Sequence, residues 1–185
     1  MPRTPERIET GRLILRRFRI GDVQDVYAYA SDPEWARYLP AIPRPYTFRD
    51  AEKFVAGTLL GHWETRPVWA IELHGKAVGG INLTFDWENR SGALGYSIAR
   101  PHWGKGLMTE AAGGAIDAAF QSLPDLNRVW ATADGRNGAS RRVMEKLGMV
   151  REALLRQHRF NRGEPFDEVL YGILREEWAA RRAGG

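Results

Sequence analysis

The chain of 185 residues contains no cysteine. That excludes disulfides, a thiolate metal site and an acyl group carried on a cysteine, and it suits a reducing cytoplasm. No stretch reaches the roughly 18 uninterrupted apolar residues of a membrane-spanning helix, and the opening MPRTPERIETG lacks an apolar signal core, so a cytoplasmic protein without a membrane partner is expected. Blocks of one charge sign are missing as well. The net charge is +4, but the basic side chains are scattered among acids rather than gathered in a stripe. That pattern speaks against nucleic acid and leaves a small ligand with several phosphates as the partner of a few of them. No internal repeat or linker interrupts the chain, and its length is enough to bury one substantial core, so residues 1–185 read as a single domain.

The rest is organised around LGYSIARPHWGKGLMTEAAGGAIDAAF, residues 94–120. It reads as a strand over 93–99, a tight loop over 100–106, and a helix that opens at Leu107 and runs to about Ser122. Gly104 and Gly106 flank Lys105 where strand must become helix. Lacking a Cβ, both can take backbone angles closed to other residues and let a ligand approach the main chain. The helix start adds unpaired N–H groups and the positive end of a dipole, which together favour an anion. A phosphorylated ligand on this turn follows, with a plain strand-to-helix connection as the alternative. The spacing is not that of a Walker loop, and Thr109 stands where the dinucleotide fingerprint wants Gly or Ala.

From the N-terminus, residues 12–16 form a short apolar strand, and Asp22 caps a helix through Val23, Val26, Tyr27 and Ala30. Residues 33–46 are too rich in proline and aromatics for regular structure. A second helix starts near Thr47 and runs through Phe54, Val55 and Leu59. Strands over 68–73 and 76–85 meet at His74-Gly75, and the polar hairpin 86–92 leads into the strand of the organising stretch. A strand over 128–133 precedes a helix from Asn137-Gly138-Ala139-Ser140, with Val143, Met144 and Leu147 inside and Gly148 as its C-terminal cap. Strands over 152–160 and 168–174 close the chain as a hairpin across Asn161-Arg162-Gly163. The order β-α-α-β-β-β-α-β-α-β-β is a mixed α/β sheet. Mid-helix Gly113 and Gly114, each costing about 1 kcal/mol relative to Ala, read as close packing of helix on sheet.

The segment Trp103-Gly104-Lys105-Gly106-Leu107-Met108-Thr109-Glu110-Ala111 resembles the acyl-CoA-binding motif of the GCN5-related N-acetyltransferases (GNAT), in the W-G-x-G-x-x-T-E-A form of the RimJ/RimL-like ribosomal-protein N-terminal acetyltransferase branch. Trp103 and Met108 depart from the wider pattern [QR]-x-x-G-x-[GA] in the way usual for that branch. The opening E-T-x-R-L-x-L-R is a familiar first strand of the same branch, and the resemblance covers nearly the whole chain. It implies one mostly antiparallel sheet of six or seven strands, the fourth and fifth splayed, with helices on both faces. It also implies acetyl-CoA as cofactor and no metal. The pyrophosphate would lie on the main-chain amides of Gly104, Lys105, Gly106, Leu107, Met108 and Thr109, beside Trp103, with Lys105 and Arg100 as counter-charges. The pantetheine arm would pair with the backbone of Tyr96, Ser97 and Ile98, where the family's strand bulges and splays. A main-chain N–H there could serve an oxyanion. Asn137 and Ser140 match the branch's N-x-x-S, with Asn137 orienting the arm and Ser140 proposed as proton donor to the thiolate. A helix N-cap pair is the simpler role, and both can hold.

The general base is open. The glutamate positions of relatives are Ala93 and Arg159 in this chain. His158 has a suitable pKa, though neighbours on a strand point to opposite faces. Glu88 or Asp86 acting through water is the other candidate. At pH 7 an α-amine needs about 1 kcal/mol to lose its proton and a lysine about 4.6, so a chain without an obvious base suits an α-amine or a small amine of low pKa. The acceptor is therefore expected to be a protein N-terminus, a polyamine or an antibiotic. Residues 33–46 and the two helices around them, with Trp35, Tyr38 and Tyr46, would wall its pocket or simply pack the fold. A non-catalytic acyl-CoA-binding protein is the competing reading, and a nucleic-acid binder a third. Monomer and homodimer are both compatible with the sequence.

Overall fold

The computed structural model describes residues 3–184. Eight strands form one sheet in the order β1-β2-β3-β4-β5-β6-β8-β7. They are β1 (Arg7–Glu9), β2 (Ile14–Arg17), β3 (Val68–Leu73), β4 (Lys76–Asp86), β5 (Ser91–Ile98), β6 (Arg128–Asp134), β7 (Val150–Asn161) and β8 (Glu164–Leu174). Every neighbouring pair is antiparallel except β5–β6, which is parallel. The sheet has one strand more than the six or seven expected. The addition is β1, whose three residues are too few to show a period of two and whose pairing with Arg16, Leu15 and Ile14 decides it.

Helices cover both faces. On one side α3 (Leu107–Ser122), α4 (Gly138–Lys146) and α5 (Arg175–Ala183) enclose the larger core, which contains Trp69, Ile71, Ile81, Leu83, Leu94, Ile116 and Met144. On the other, α1 (Val23–Ala30) and α2 (Phe48–Leu60) build a second core with Phe18, Trp35, Ala70, Ala77 and Ala99. Thr47 caps α2 as its type leads one to expect, its hydroxyl accepting the Asp50 N–H. Asp22 precedes α1 but makes no side-chain cap. Its carboxylate is taken instead by the buried Arg16 guanidinium, with both oxygens at 2.8 Å, and Arg16 also meets Glu72. Helix α5 was not expected. It follows β8 without a break, with Leu174 where a cap would stand, and the Glu177 carboxylate accepts the Leu174 N–H at 2.9 Å. Its Trp178 is buried and donates Nε1–H to Asp117 on α3 at 2.7 Å.

Small residues let α3 lie close to the sheet. Ala111, Ala112, Ala115 and Ala119 are fully buried, and a Cβ on Gly114 would stand 2.9 Å from Thr10 Cγ2. The feature that positions the site is the parting of β5 and β6. They pair only over Ser91–Ala93 against Arg128–Trp130, while β6 stays paired with β8 from Arg128 to Asp134. The expected bulge at residues 96–98 does not occur. β5 keeps an unbroken register with β4 from Ser91 to Ile98, and leaves β6 by divergence.

Candidate active site

Two loops and one open strand edge meet at the gap between β5 and β6. After β5 the chain makes a short 3-10 turn, Arg100–His102, and then the glycine loop. Gly104 and Gly106 both have positive φ, 72° and 75°, with Gly106 as the left-handed cap of α3. This backbone path is what the Gly-Lys-Gly spacing implied, because other residues adopt it only at a cost. Among the described residues, the N–H groups of Gly104 through Thr109 have no main-chain partner, and no side chain caps the helix. A 16-residue helix therefore presents bare donors and its positive end to one point. Trp103 is half exposed and donates its indole N–H to the Ile98 carbonyl at 2.8 Å, tying the loop to the end of β5.

The far side of the loop is fixed by the N-terminal strands. Arg12 donates Nη1–H to the Lys105 carbonyl at 3.1 Å, and its Nη2 lies 3.6 Å from the position of a Cβ on Gly106. Arg12, its charge paired with Glu110, thus braces the glycine loop, a contact the sequence does not announce.

Along β5, Ala99 donates its N–H to Val78 on β4. Alternation in an antiparallel pair then turns the main-chain groups of Leu94, Tyr96 and Ile98 away from β4 and toward the gap. The gap opens into a cleft of about 260 Å³ lined by Trp35 and Tyr38 from the α1–α2 connection, by β5, by the glycine loop and by the first turns of α4. Asn137 caps α4, its side-chain oxygen accepting the Ser140 N–H at 3.1 Å. The Ser140 hydroxyl lies 2.9 Å from the Tyr96 hydroxyl. Burial pushes the Tyr96 phenol up to about 12, against the opposing hydrogen bond with Ser140, so it keeps its proton at neutral pH. His102 also lines the cleft, and burial together with the Lys105 charge lowers its pKa.

The cleft brings together Tyr96, Ser97, Ile98, Trp103, Gly104, Gly106, Leu107, Met108, Thr109, Asn137 and Ser140. Four other expected residues lie outside its lining. Arg100 is held at 2.6 Å by Asp32, and Lys105 is exposed with its carbonyl on Arg12. His158 is exposed and 3.6 Å from Glu168, on a part of β7 where the register slips between Leu155 and Arg159 and Gln157 has φ 49°. Glu88 sits in the exposed turn after β4. Five residues of strand separate Ser91, where β5 begins, from Tyr96, roughly 16 Å, so Glu88 stands at the opposite end of β5 from Ser140. Asp86, the last residue of β4, accepts from Asn89. Tyr46 packs on the second core.

Residues the sequence reading missed are Glu34, the one carboxylate in the cleft lining, and the basic pair Arg142 and Lys146. The pair carried a signal: four residues apart on one helix, they share a face. No cluster of His, Asp or Glu among the described residues could hold a metal. The α1–α2 connection is itself tied down, since Asn161 and Arg162 at the β7–β8 turn donate to the Arg37 carbonyl at 2.9 and 3.4 Å.

The comparisons concern the family and the fold. The family model "Acetyltransferase (GNAT) domain" matches residues 12–150. The uncharacterized N-acetyltransferase p20 of Bacillus licheniformis is 31% identical over 178 residues, covering 94% of this chain and 99% of its own. The crystal structure of a GNAT-family acetyltransferase from Bacillus anthracis, 29% identical, superposes with a TM-score of 0.82 over 92% of this chain and 99% of that one. RimL, the ribosomal L7/L12 α-N-protein acetyltransferase solved with coenzyme A, shares the fold at 18% identity, with a TM-score of 0.84 over 91% of this chain and 98% of its own. Sequence and fold together place the chain in the GNAT family of acetyltransferases.

Proposed function

We propose that the chain transfers the acetyl group of acetyl-CoA to a primary amine by direct attack in a ternary complex, the acceptor being a protein N-terminal α-amine or a small amine of low pKa. One observation carries this reading: six main-chain N–H groups without main-chain partners, from Gly104 to Thr109, beside a β5 edge left open by β6. The donors and the positive end of α3 fit a diphosphate, and Arg142 and Lys146 supply further positive charge nearby. The open edge of β5 fits an extended chain bearing amides, held as an added strand. When bound, acetyl-CoA contributes an acetyl group already activated as a thioester.

The chain's own residues do the rest. Tyr96 and Ile98 offer main-chain donors to the gap, Asn137 fixes the first turn of α4, and Ser140 carries a hydroxyl into the cleft. With no cysteine to hold the acetyl group, attack by the amine is direct. Glu34, which lines the cleft, is the group proposed to receive the amine's proton through water. A weak, exposed carboxylate suffices for an α-amine, whose deprotonation costs about 1 kcal/mol at pH 7.

The test is free-thiol release from acetyl-CoA with a panel of α-amine peptides, polyamines and aminoglycoside-type amines. Release with an α-amine peptide or small amine, and not with lysine side chains, supports the reading. Tight acetyl-CoA binding with no release for any acceptor would replace it with a non-catalytic acyl-CoA-binding role, which the alanine at position 93 favours.

A further inference from the structure

The transfer reading leaves one hydroxyl unused. Tyr96 rises from β5 and places its oxygen 2.9 Å from Ser140 Oγ and 3.2 Å from the Ser140 carbonyl oxygen. A phenol has one proton to give, so two arrangements are open. In one, Tyr96 donates to Ser140 Oγ, and the serine proton is free to point into the cleft. In the other, Tyr96 donates to the carbonyl, and the serine proton turns back onto Tyr96. The Ser140 carbonyl lies within α4, where the helical register already supplies it with the Met144 N–H. The contact to Oγ is also the shorter. The Ser140 backbone has no freedom to adjust, since its N–H is held by Asn137.

We infer that Tyr96 is a positioning residue for the transfer: its hydroxyl hydrogen occupies the Ser140 oxygen and turns the Ser140 proton into the cleft, toward the sulfur of the departing thiol. As the nitrogen–carbon bond forms and the carbon–sulfur bond breaks, the electron pair leaves on sulfur and Ser140 donates a hydrogen bond to it. The proton lost by the amine is the one the thiolate finally takes, so neither hydroxyl is consumed. The perturbed phenol described above keeps Tyr96 a donor across the neutral range. The inference rests on the transfer reading for its consequence, and on geometry alone for the direction of the hydrogen bond.

The test uses Tyr96→Phe, Ser140→Ala and the double variant. In steady-state transfer, Ser140→Ala is expected to lower kcat ~100-fold and Tyr96→Phe ~10-fold. KM for acetyl-CoA should stay within about twofold, and the double variant should be no slower than Ser140→Ala. Independently of activity, the binding of CoA is compared with that of desulfo-CoA from pH 7 to 10, because the CoA thiol, a simple alkyl thiol, titrates above cysteine's roughly 8.5. A serine proton aimed at sulfur favours the thiolate, so the wild type's preference for CoA should grow about fivefold over that range. Both single variants should lose this growth while still binding desulfo-CoA, which also reports that they are folded. A Tyr96→Phe enzyme as fast as the wild type or faster, losses that multiply in the double variant, or a pH-dependent preference that survives Tyr96→Phe would each overturn the inference in favour of the second arrangement. Should no acceptor support transfer by the wild type, the transfer reading falls, and the CoA and desulfo-CoA comparison alone decides the direction of the hydrogen bond.

Discussion

Glu110, in the first turn of α3, grips Arg12 across 98 positions of sequence: one carboxylate oxygen accepts the Arg12 N–H and the other its Nε–H, both at 2.6 Å. Thr10 adds its hydroxyl to the first oxygen at 2.7 Å. The opening E-T-x-R-L run and the T-E-A end of the glycine-loop motif are therefore two halves of one joint, which seats the anion loop against the sheet.

This joint makes stability depend on pH. Partial burial opposes ionisation of Glu110, but the hydrogen bonds from Thr10 and Arg12 outweigh it and hold the carboxyl below the usual glutamate range. A folded-state pKa below the unfolded one means the contribution is complete above the unfolded value, near 4.3, and is lost as pH falls through the lower folded value. Glu110→Gln is expected to lower stability at pH 7 by about 2 kcal/mol and to flatten part of the loss between pH 5 and 3. Urea unfolding at several pH values checks both, and an unchanged pH slope would remove Glu110 as its source.

The two loop glycines should respond differently to alanine. Both have positive φ, so each substitution strains the backbone by about 1 kcal/mol. A Cβ on Gly104 meets nothing within 4 Å, whereas one on Gly106 stands 3.6 Å from Arg12. That contact is an ordinary one, so the difference lies in the backbone. Gly106 is the left-handed cap of α3, and Gly106→Ala should weaken CoA binding at least tenfold by tilting the N–H groups of the first turn. Gly104→Ala should weaken it only a fewfold. Isothermal titration with CoA separates them, and equal losses would show that strain counts alike at both glycines.

Asn137 links fold to chemistry. Its alanine variant loses the cap on α4, costing about 1 kcal/mol, and releases the first turn that carries Ser140. A fall in kcat of tenfold or more is expected with Asn137→Ala. Asn137→Asp keeps a capping oxygen and should restore most of the stability. Thermal melts and steady-state rates on the pair test this, and full activity in the alanine variant would show that α4 needs no cap to place Ser140.

The adjacent glycines of α3 predict opposite signs. A Cβ on Gly114 would lie 2.9 Å from the methyl of Thr10, a short branched side chain pinned by its own hydrogen bonds. Gly114→Ala should destabilise by about 1–3 kcal/mol through overpacking. On Gly113 the nearest atom is Leu147 Cδ2 at 3.8 Å, ordinary contact, so Gly113→Ala should stabilise by about 0.5–1 kcal/mol through helix propensity. Chemical denaturation midpoints give the signs directly.

What could be read from the sequence was what is local. The turn at His74-Gly75, the cap at Thr47, the stretch from β5 through α3 and the Asn137 cap each announce themselves within a few residues. Contacts between distant segments did not. Nothing near Arg12 says that it reaches the glycine loop, and nothing near Asp22 says that a buried arginine claims its carboxylate. His158 offers the right side-chain type for a base while strand alternation speaks against it, and in the irregular register of β7 it ends exposed beside Glu168. Glu34 lay in a stretch too irregular to orient, so its place in the cleft waited on the fold.

The grip of Asn161 on the Arg37 carbonyl, 124 positions away, makes the mouth of the cleft a shared product of two surface turns. Neither turn carries the glycine loop or the α4 cap, so their exposed positions can vary while cofactor chemistry stays constant, with Trp35 and Ala36 kept by the second core. Acceptor choice in this molecule should thus be transferable by exchanging the exposed positions of residues 33–46 together with residues 161–163, and lost when either set is exchanged alone.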